Sequence, residues 1–124
     1  MIPIRRRFVL LSIAAVACVA AAPAEAHAFL DHALPAVGST VHESPRSVRL
    51  WFTEPIEPAF SRVSVLDATG KAVDAGDSHV DSSEPSILAA SLPVLAPGTY
   101  RVKWRVVSVD THVTEGDFTF DLKP

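Results

Sequence analysis

Tyr100-Arg101-Val102-Lys103-Trp104-Arg105-Val106 alternates large apolar and cationic side chains without a lapse. In an extended chain successive side chains point to opposite faces, so Tyr100, Val102, Trp104 and Val106 share one face and the three cations the other. A helix would scatter the four apolar residues around its axis instead of gathering them on a stripe. The stretch is therefore expected to be a β-strand that faces a core.

The same period of two recurs on either side. Val48, Leu50 and Phe52 alternate with Arg49, Trp51 and Thr53; Val63 and Val65 alternate within Arg62 to Asp67; and Phe118, Phe120 and Leu122 repeat the pattern near the end. Asp67-Ala68-Thr69-Gly70-Lys71 has the composition of a hairpin turn, and Ser86 to Ser91 that of a further strand. Prolines at 35, 45, 55, 58, 85, 93 and 97 cut the chain into short pieces, and no piece between them carries an apolar stripe at helical spacing. Just before the first strand quoted, Leu92-Pro93-Val94-Leu95-Ala96-Pro97-Gly98-Thr99-Tyr100 has the form of a tyrosine corner, in which a strand-opening Tyr bonds back to the preceding loop. About seven short strands and this corner predict an all-β domain, an immunoglobulin-like Greek-key β-sandwich. The aromatic and Val positions are read as core packing, Tyr100 and Trp104 included.

The first twenty-six residues are of another kind. Arg5-Arg6-Arg7 precedes an apolar run from Phe8 to Ala22, and Ala24-Glu25-Ala26 follows as an A-x-A cleavage signal. The run is short of the roughly twenty apolar residues a membrane span requires. Residues 1–26 are therefore expected to be a signal peptide, cleaved after Ala26, and residues 27–124 the mature domain. Arg5-Arg6-Arg7-Phe8-Val9-Leu10 resembles a twin-arginine export signal with Ile4 where a Ser or Thr is usual, so both export routes stay open. Lipidation at Cys18 is disfavoured because Ala15-Val16-Ala17 lacks the Leu of a lipobox.

Residues 27–124 carry 8 Lys or Arg against 13 Asp or Glu. That acidic balance disfavours nucleic acid and anionic membrane as partners, both of which call for clustered cations. The single cysteine, Cys18, lies in the leader. The mature domain thus has neither a disulfide nor a thiolate metal site, and its stability has to come from packing.

Five histidines stand at 27, 32, 42, 79 and 112. His27 differs from the rest because the expected cut gives it a free α-amine beside its imidazole, and the two nitrogens can close a chelate ring on one ion. Such donors suit copper(II), which favours tetragonal nitrogen and oxygen ligands, and the amine's pKa of about 8 lets the ion displace its proton near neutrality. Val109-Asp110-Thr111-His112 follows the best strand. If that strand continues, Asp110 and His112 project to one side, roughly 7 Å apart at Cα, with Thr111 turned away. Together with His27 they would supply three nitrogens and one oxygen. Taken alone, a D-x-H tripeptide is a weak signal, more often solvated residues at a strand end. Asp77-Ser78-His79-Val80-Asp81 is read as a solvated loop, and nothing in the spacing of His32 and His42 brings them to His27. No nucleotide-binding Gly-rich loop, Ser-His-Asp arrangement or H-E-x-x-H motif is present.

The chain has a recognisable relative. His27-Ala28-Phe29-Leu30 with Pro35-Ala36-Val37-Gly38, Leu50-Trp51-Phe52-Thr53-Glu54-Pro55, Gly98 through Ser108, Asp110-Thr111-His112 and Gly116 resemble, in order, the CopC copper-resistance family. The resemblance implies one copper(II) ion held by His27, Asp110 and His112, with Glu54 of the F-[ST]-E-P motif close by, steadying the amine or a bound water. It implies a periplasmic protein that sequesters or carries copper, monomeric, with a CopD-type inner-membrane transporter as its partner. Family members that carry copper(I) use a methionine-rich segment, whereas Met1 is the sole methionine here, which leaves no thioether site. Phe29 stands where many relatives have a second His.

Two other functions stay in view. A copper monooxygenase-like enzyme also uses an N-terminal His chelate on a β-sandwich, but keeps an exchangeable position at the metal that Asp110 would fill here. A metal-free immunoglobulin-like adhesion module would carry its histidines incidentally. The expectation is a non-enzymatic copper(II) carrier.

Overall fold

A computed structural model describes residues 27–124, so the expected signal peptide, its cleavage after Ala26 and Cys18 lie outside the described residues. The described residues form eight strands, β1 (Leu30–Leu34), β2 (Thr40–Val41), β3 (Ser47–Phe52), β4 (Arg62–Leu66), β5 (His79–Val80), β6 (Ile87–Ser91), β7 (Gly98–Val107) and β8 (Val113–Leu122), with one 3-10 turn at Pro58–Phe60. One sheet has the order β1-β3-β6-β5 and the other β2-β8-β7-β4. Neighbours pair antiparallel except β2 and β8, which run parallel. This is the immunoglobulin-like sandwich expected from the alternation.

The core lies between the sheets and is filled by the residues the period of two selects. Val48, Leu50 and Phe52 of β3, Val63 and Val65 of β4, Tyr100, Val102 and Val106 of β7, and Phe118, Phe120 and Leu122 of β8 are all buried. Trp104 is half-buried, edge-on to Phe52 of the opposite sheet at 5.1 Å between ring centroids. Its cross-strand partner is Gly116. A Cβ on Gly116 would stand 2.5 Å from Trp104 Cζ2, so the indole fits only because that position has no side chain. The Tyr100 hydroxyl donates to the Ala96 carbonyl at 2.5 Å, which is the expected tyrosine corner.

The turn at 67–71 forms as its composition suggests. Asp67 Oδ1 accepts from the backbone of Thr69 and Lys71, and the chain returns with Val73 N–H donating to Val65 O. Beyond it, Asp74 Oδ1 and Ser78 Oγ accept from Val65 and Val63 N–H along the outer edge of β4, so side chains satisfy an edge that would otherwise invite pairing.

One expectation is overturned. The strand holding Tyr100 to Val106 does not run on to His112; β7 ends at Val107, which pairs directly with Val113. Residues 108–112 are the loop of the β7–β8 hairpin, closed by Ser108 N–H to His112 O at 2.9 Å and Thr111 N–H to Ser108 O at 2.9 Å. Thr111 adopts φ 72°, which no strand residue does. The alternation of sequence stops at Val106, and the backbone reverses within a few residues.

Two substitutions test this packing. Gly116→Ala should destabilise the domain by about 1–3 kcal/mol through the clash with Trp104, and Tyr100→Phe by about 1 kcal/mol through the lost corner bond. Both are read as lowered midpoints in urea with an unchanged slope. Equal midpoints for Gly116→Ala and wild type would contradict the placement of the indole.

Candidate metal centre

Three segments far apart in sequence meet at one end of the sandwich. Residues 27–29 precede β1 and are held by side-chain hydroxyls. Thr53 Oγ1, just past β3, accepts from Phe29 N–H at 3.0 Å and lies 3.3 Å from the His27 carbonyl, to which it donates. Thr53 N–H donates to the Phe29 carbonyl at 2.8 Å. From the other sheet, Thr114 Oγ1 donates to the Ala28 carbonyl at 2.6 Å, and Ala28 is fully buried. His27 is therefore fixed at the mouth between the sheets.

The hairpin loop supplies the second segment. Ser108, itself fully buried, donates its hydroxyl hydrogen to Asp110 Oδ1 in a short hydrogen bond and accepts from His112 N–H at 3.2 Å. Asp110 Oδ2 lies 3.1 Å from His112 Nδ1. Asp110 and His112 thus face one another as expected, but because the loop curls around Ser108 and not because a strand alternates. Their side chains are 37% and 40% exposed, enough for an ion to reach them from solvent.

The third contact joins the two segments. The rings of His27 and His112 lie 4.4 Å apart at their centroids, tilted by 34°, and Phe29 leans on His27 at 5.8 Å. His112 Nδ1 is shielded from solvent and faces Asp110 Oδ2 at 3.1 Å. The 3.1 Å between that nitrogen and Asp110 Oδ2 suits two donors at right angles on one ion. With bonds of about 2.0–2.2 Å they would stand roughly 3 Å apart. Imidazole and carboxylate donors of this kind fit copper(II). Among the described residues no three His, Cys, Asp or Glu side chains converge on one point as a finished ligand set. The remaining nitrogen in this donor set belongs to the backbone of His27 and becomes an amine only when the chain starts there.

Glu54 is half-buried in the segment that links these parts. Its neighbour Thr53 holds residues 27–29, and the Pro55 carbonyl accepts from Val109 N–H at 3.3 Å. Ile56 bridges to Ser108 in turn. The backbone of Glu54 so lies between the N-terminal segment and the loop.

The other histidines are engaged elsewhere. His32 stacks on Trp51 at 4.4 Å and 12°, with Nδ1 2.6 Å from Asp31 Oδ2. His42 Nδ1 donates to the Lys123 carbonyl at 2.7 Å. In the 77–81 loop, His79 Nδ1 donates to Asp77 O at 2.8 Å, while Asp77 Oδ1 accepts from Ser91 N–H and Asp81 Oδ1 from Ser83 and Glu84. Those carboxylates tie down the turns on either side of β5, so the segment expected to be a solvated loop instead carries a two-residue edge strand, His79–Val80, paired with Ala89 and Leu88 of β6. Ser108, Thr53 and Thr114 are the residues that sequence reasoning passed over; a Ser or Thr carries no signal of its own, and their role arises only from contacts across the fold.

A family model described as the CopC domain matches residues 30–123. Among curated proteins, protein YobA of Escherichia coli strain K12 is 35% identical over 99 residues, which cover 79% of this chain and 80% of the relative. The crystal structure of CopC from Methylosinus trichosporium OB3b matches with a TM-score of 0.71 and 40% identity, over 79% of this chain and 95% of that one. The structure of PcoC, a methionine-rich copper resistance protein from Escherichia coli, matches with a TM-score of 0.70 and 31% identity, over 79% of this chain and all of that one.

The Asp110 carboxyl is held below its ordinary value of 3.8, first by the Ser108 hydrogen bond and then by the neighbouring His112. A carboxyl whose pKa is lower folded than unfolded stabilises the fold at any pH above the unfolded value of about 4, and loses that contribution as pH falls through the folded value. The stability advantage that the metal-free wild type draws from the ionised Asp110 over Asp110→Asn should therefore be lost as pH falls below about 4. Urea midpoints taken above and below about pH 4 check it; a difference that stays the same below that pH would contradict a depressed Asp110.

Proposed function

The chain belongs to the CopC family, and on that premise we propose that it is an exported copper(II)-binding protein that sequesters or carries the ion in the periplasm. The family includes copper resistance proteins, by the name of the PcoC relative. The reading gives the metal four donors: the α-amine and imidazole of His27, the imidazole of His112 and Asp110 Oδ2. The single observation that carries it is the approach of the His27 and His112 rings to 4.4 Å between centroids, with Asp110 Oδ2 3.1 Å from the His112 ring nitrogen. Residues 1–26 serve as the signal peptide in this reading, and cleavage after Ala26 creates the amine. Glu54 steadies the amine or a bound water from the segment between the two ligand-bearing loops.

Carriage without catalysis follows from the donor count. With four protein donors in the equatorial plane of a tetragonal ion, no strong position remains for oxygen or substrate. The absence of any methionine after Met1 leaves copper(I) without the soft thioethers it selects, so the protein handles the oxidised ion. A partner that receives the ion, such as a CopD-type inner-membrane transporter, has to compete donor by donor, and one exposed end of a monomer provides the access.

Acetylating the α-amine of the processed chain should weaken copper(II) binding by several orders of magnitude, because the nitrogen becomes an amide and no amine is left to close a chelate with the His27 imidazole. Competition with a chelator of known affinity measures this, and equal affinity of the two forms would remove the basis of the reading. His112→Ala should cost the copper electron paramagnetic resonance spectrum one coordinated nitrogen. Copper loading of the wild type should fall as pH drops below about 6, since protons compete for the imidazoles and the amine before they compete for Asp110.

A further inference from the structure

Two polar side chains are buried among the described residues, Ser61 and Ser108. Ser61 Oγ accepts from Val107 N–H at 3.1 Å and serves the backbone alone. Ser108 is different, because its hydroxyl reaches both residues of the hairpin loop that the copper(II) reading uses. We propose that Ser108 is the positioning residue of this site, which turns Asp110 into a ligand through one oxygen and sets its angle to His112. The inference rests on the copper(II) reading given above.

A serine hydroxyl has one hydrogen to give and two lone pairs to offer. The hydrogen goes to Asp110 Oδ1, the closest acceptor; the His112 carbonyl at 3.3 Å is already served by Ser108 N–H at 2.9 Å. One lone pair accepts from His112 N–H at 3.2 Å. The same oxygen therefore fixes the carboxylate of one ligand and the backbone of the other. With Oδ1 engaged, Oδ2 is the oxygen left for an ion, and it is the one that lies 3.1 Å from His112 Nδ1.

The loop around Ser108 is held firmly enough for this to matter. Ser108 is fully buried and bridges to Ile56, and Thr111 sits at φ 72°, a conformation a β-branched residue adopts only when its surroundings dictate it. Thr111 N–H donates to the Ser108 carbonyl at 2.9 Å, so Ser108 holds that residue as well. A carboxylate free to turn can offer both oxygens, the mode that larger, harder cations such as calcium exploit. Restricted to one oxygen beside an imidazole, Asp110 instead matches the tetragonal geometry of copper(II). Ser108 thus contributes to which metal is held, without touching it.

The test is a mutant cycle on the exported, processed protein. Ser108→Ala should keep the far-ultraviolet circular dichroism of wild type, lose about 10–100-fold in copper(II) affinity, and shift the copper hyperfine splitting with no change in the number of coordinated nitrogens. In an Asp110→Ala background the further change Ser108→Ala should have a smaller effect on affinity, since the part of its action that passes through that carboxylate is gone and only its hold on the His112 backbone remains. Ser61→Ala, which removes an equally buried hydroxyl with no tie to the ligands, should lower stability and leave the copper spectrum as it was. Ser108→Thr keeps the hydroxyl and should keep a spectrum like that of wild type, which preserves the test if the alanine variant folds poorly. Wild-type affinity and spectrum in Ser108→Ala would overturn the positioning role and leave the copper(II) site standing, as would equal losses in both backgrounds or a spectrum for Ser108→Thr like that of Asp110→Ala. A wild-type protein that fails to bind copper(II) would remove the site and the positioning role together.

Discussion

The ten-residue antiparallel pairing of β7 with β8 is the constraint on which the rest of the molecule depends. Its register sets Tyr100 against Phe120, Val102 against Phe118 and Trp104 against Gly116, so large rings and a bare glycine interlock along one face. That same face closes on β3 of the other sheet, where Phe52 meets the edge of Trp104. The register also decides where the hairpin must turn. Because Val107 pairs with Val113, the five residues between them have to close a loop, and the ligand candidates Asp110 and His112 are both in it.

Closure of that loop depends on Ser108 in a manner that links fold and site. A hairpin loop at the end of a sandwich leaves backbone groups without ladder partners, and these have to be satisfied by something nearby. Here the serine backbone and hydroxyl take the His112 carbonyl and N–H, and the hydroxyl hydrogen is left over for a carboxylate. The bond that depresses the Asp110 pKa is thus a by-product of closing the turn. An ionised carboxylate beside an imidazole is costly to hold in a dry interior, but both groups are partly solvated at the rim of the sandwich.

The N-terminal segment shows the same economy. Residues 27–29 have no strand partner until β1 begins, yet Thr53 and Thr114 satisfy their backbone groups from the two sheets. Each threonine is the residue next to a strand terminus or the second residue of a strand, where a hydroxyl can reach outside the ladder. The result is that His27 is carried by both sheets at once. A loosely tethered terminus has to be ordered at an entropic cost whenever it binds something; here the fold has already ordered residues 27–29.

Much of this was legible in the amino-acid order. Period-two alternation identified β3, β4, β7 and β8 and nearly all of their buried faces, and Leu92 to Tyr100 announced the corner. The three expected ligands were legible as residue types in a familiar order; the structure sets the His112 ring beside that of His27 and its Nδ1 beside Asp110 Oδ2. What the sequence could not determine was how they meet. Alternation is a local property, set by backbone geometry within a few residues, so it extends a strand until something non-local ends it. The end of β7 at Val107 and the left-handed Thr111 follow from register with β8. The placement of His27 follows from hydroxyls 26 and 86 positions away from the carbonyls they bind. Sequence by itself determined a sandwich and named three candidate ligands. Only the tertiary structure decided that Thr53 and Thr114 would hold residues 27–29 and Ser108 the hairpin loop, because hydrogen bonds between distant residues exist only once the sheets have packed.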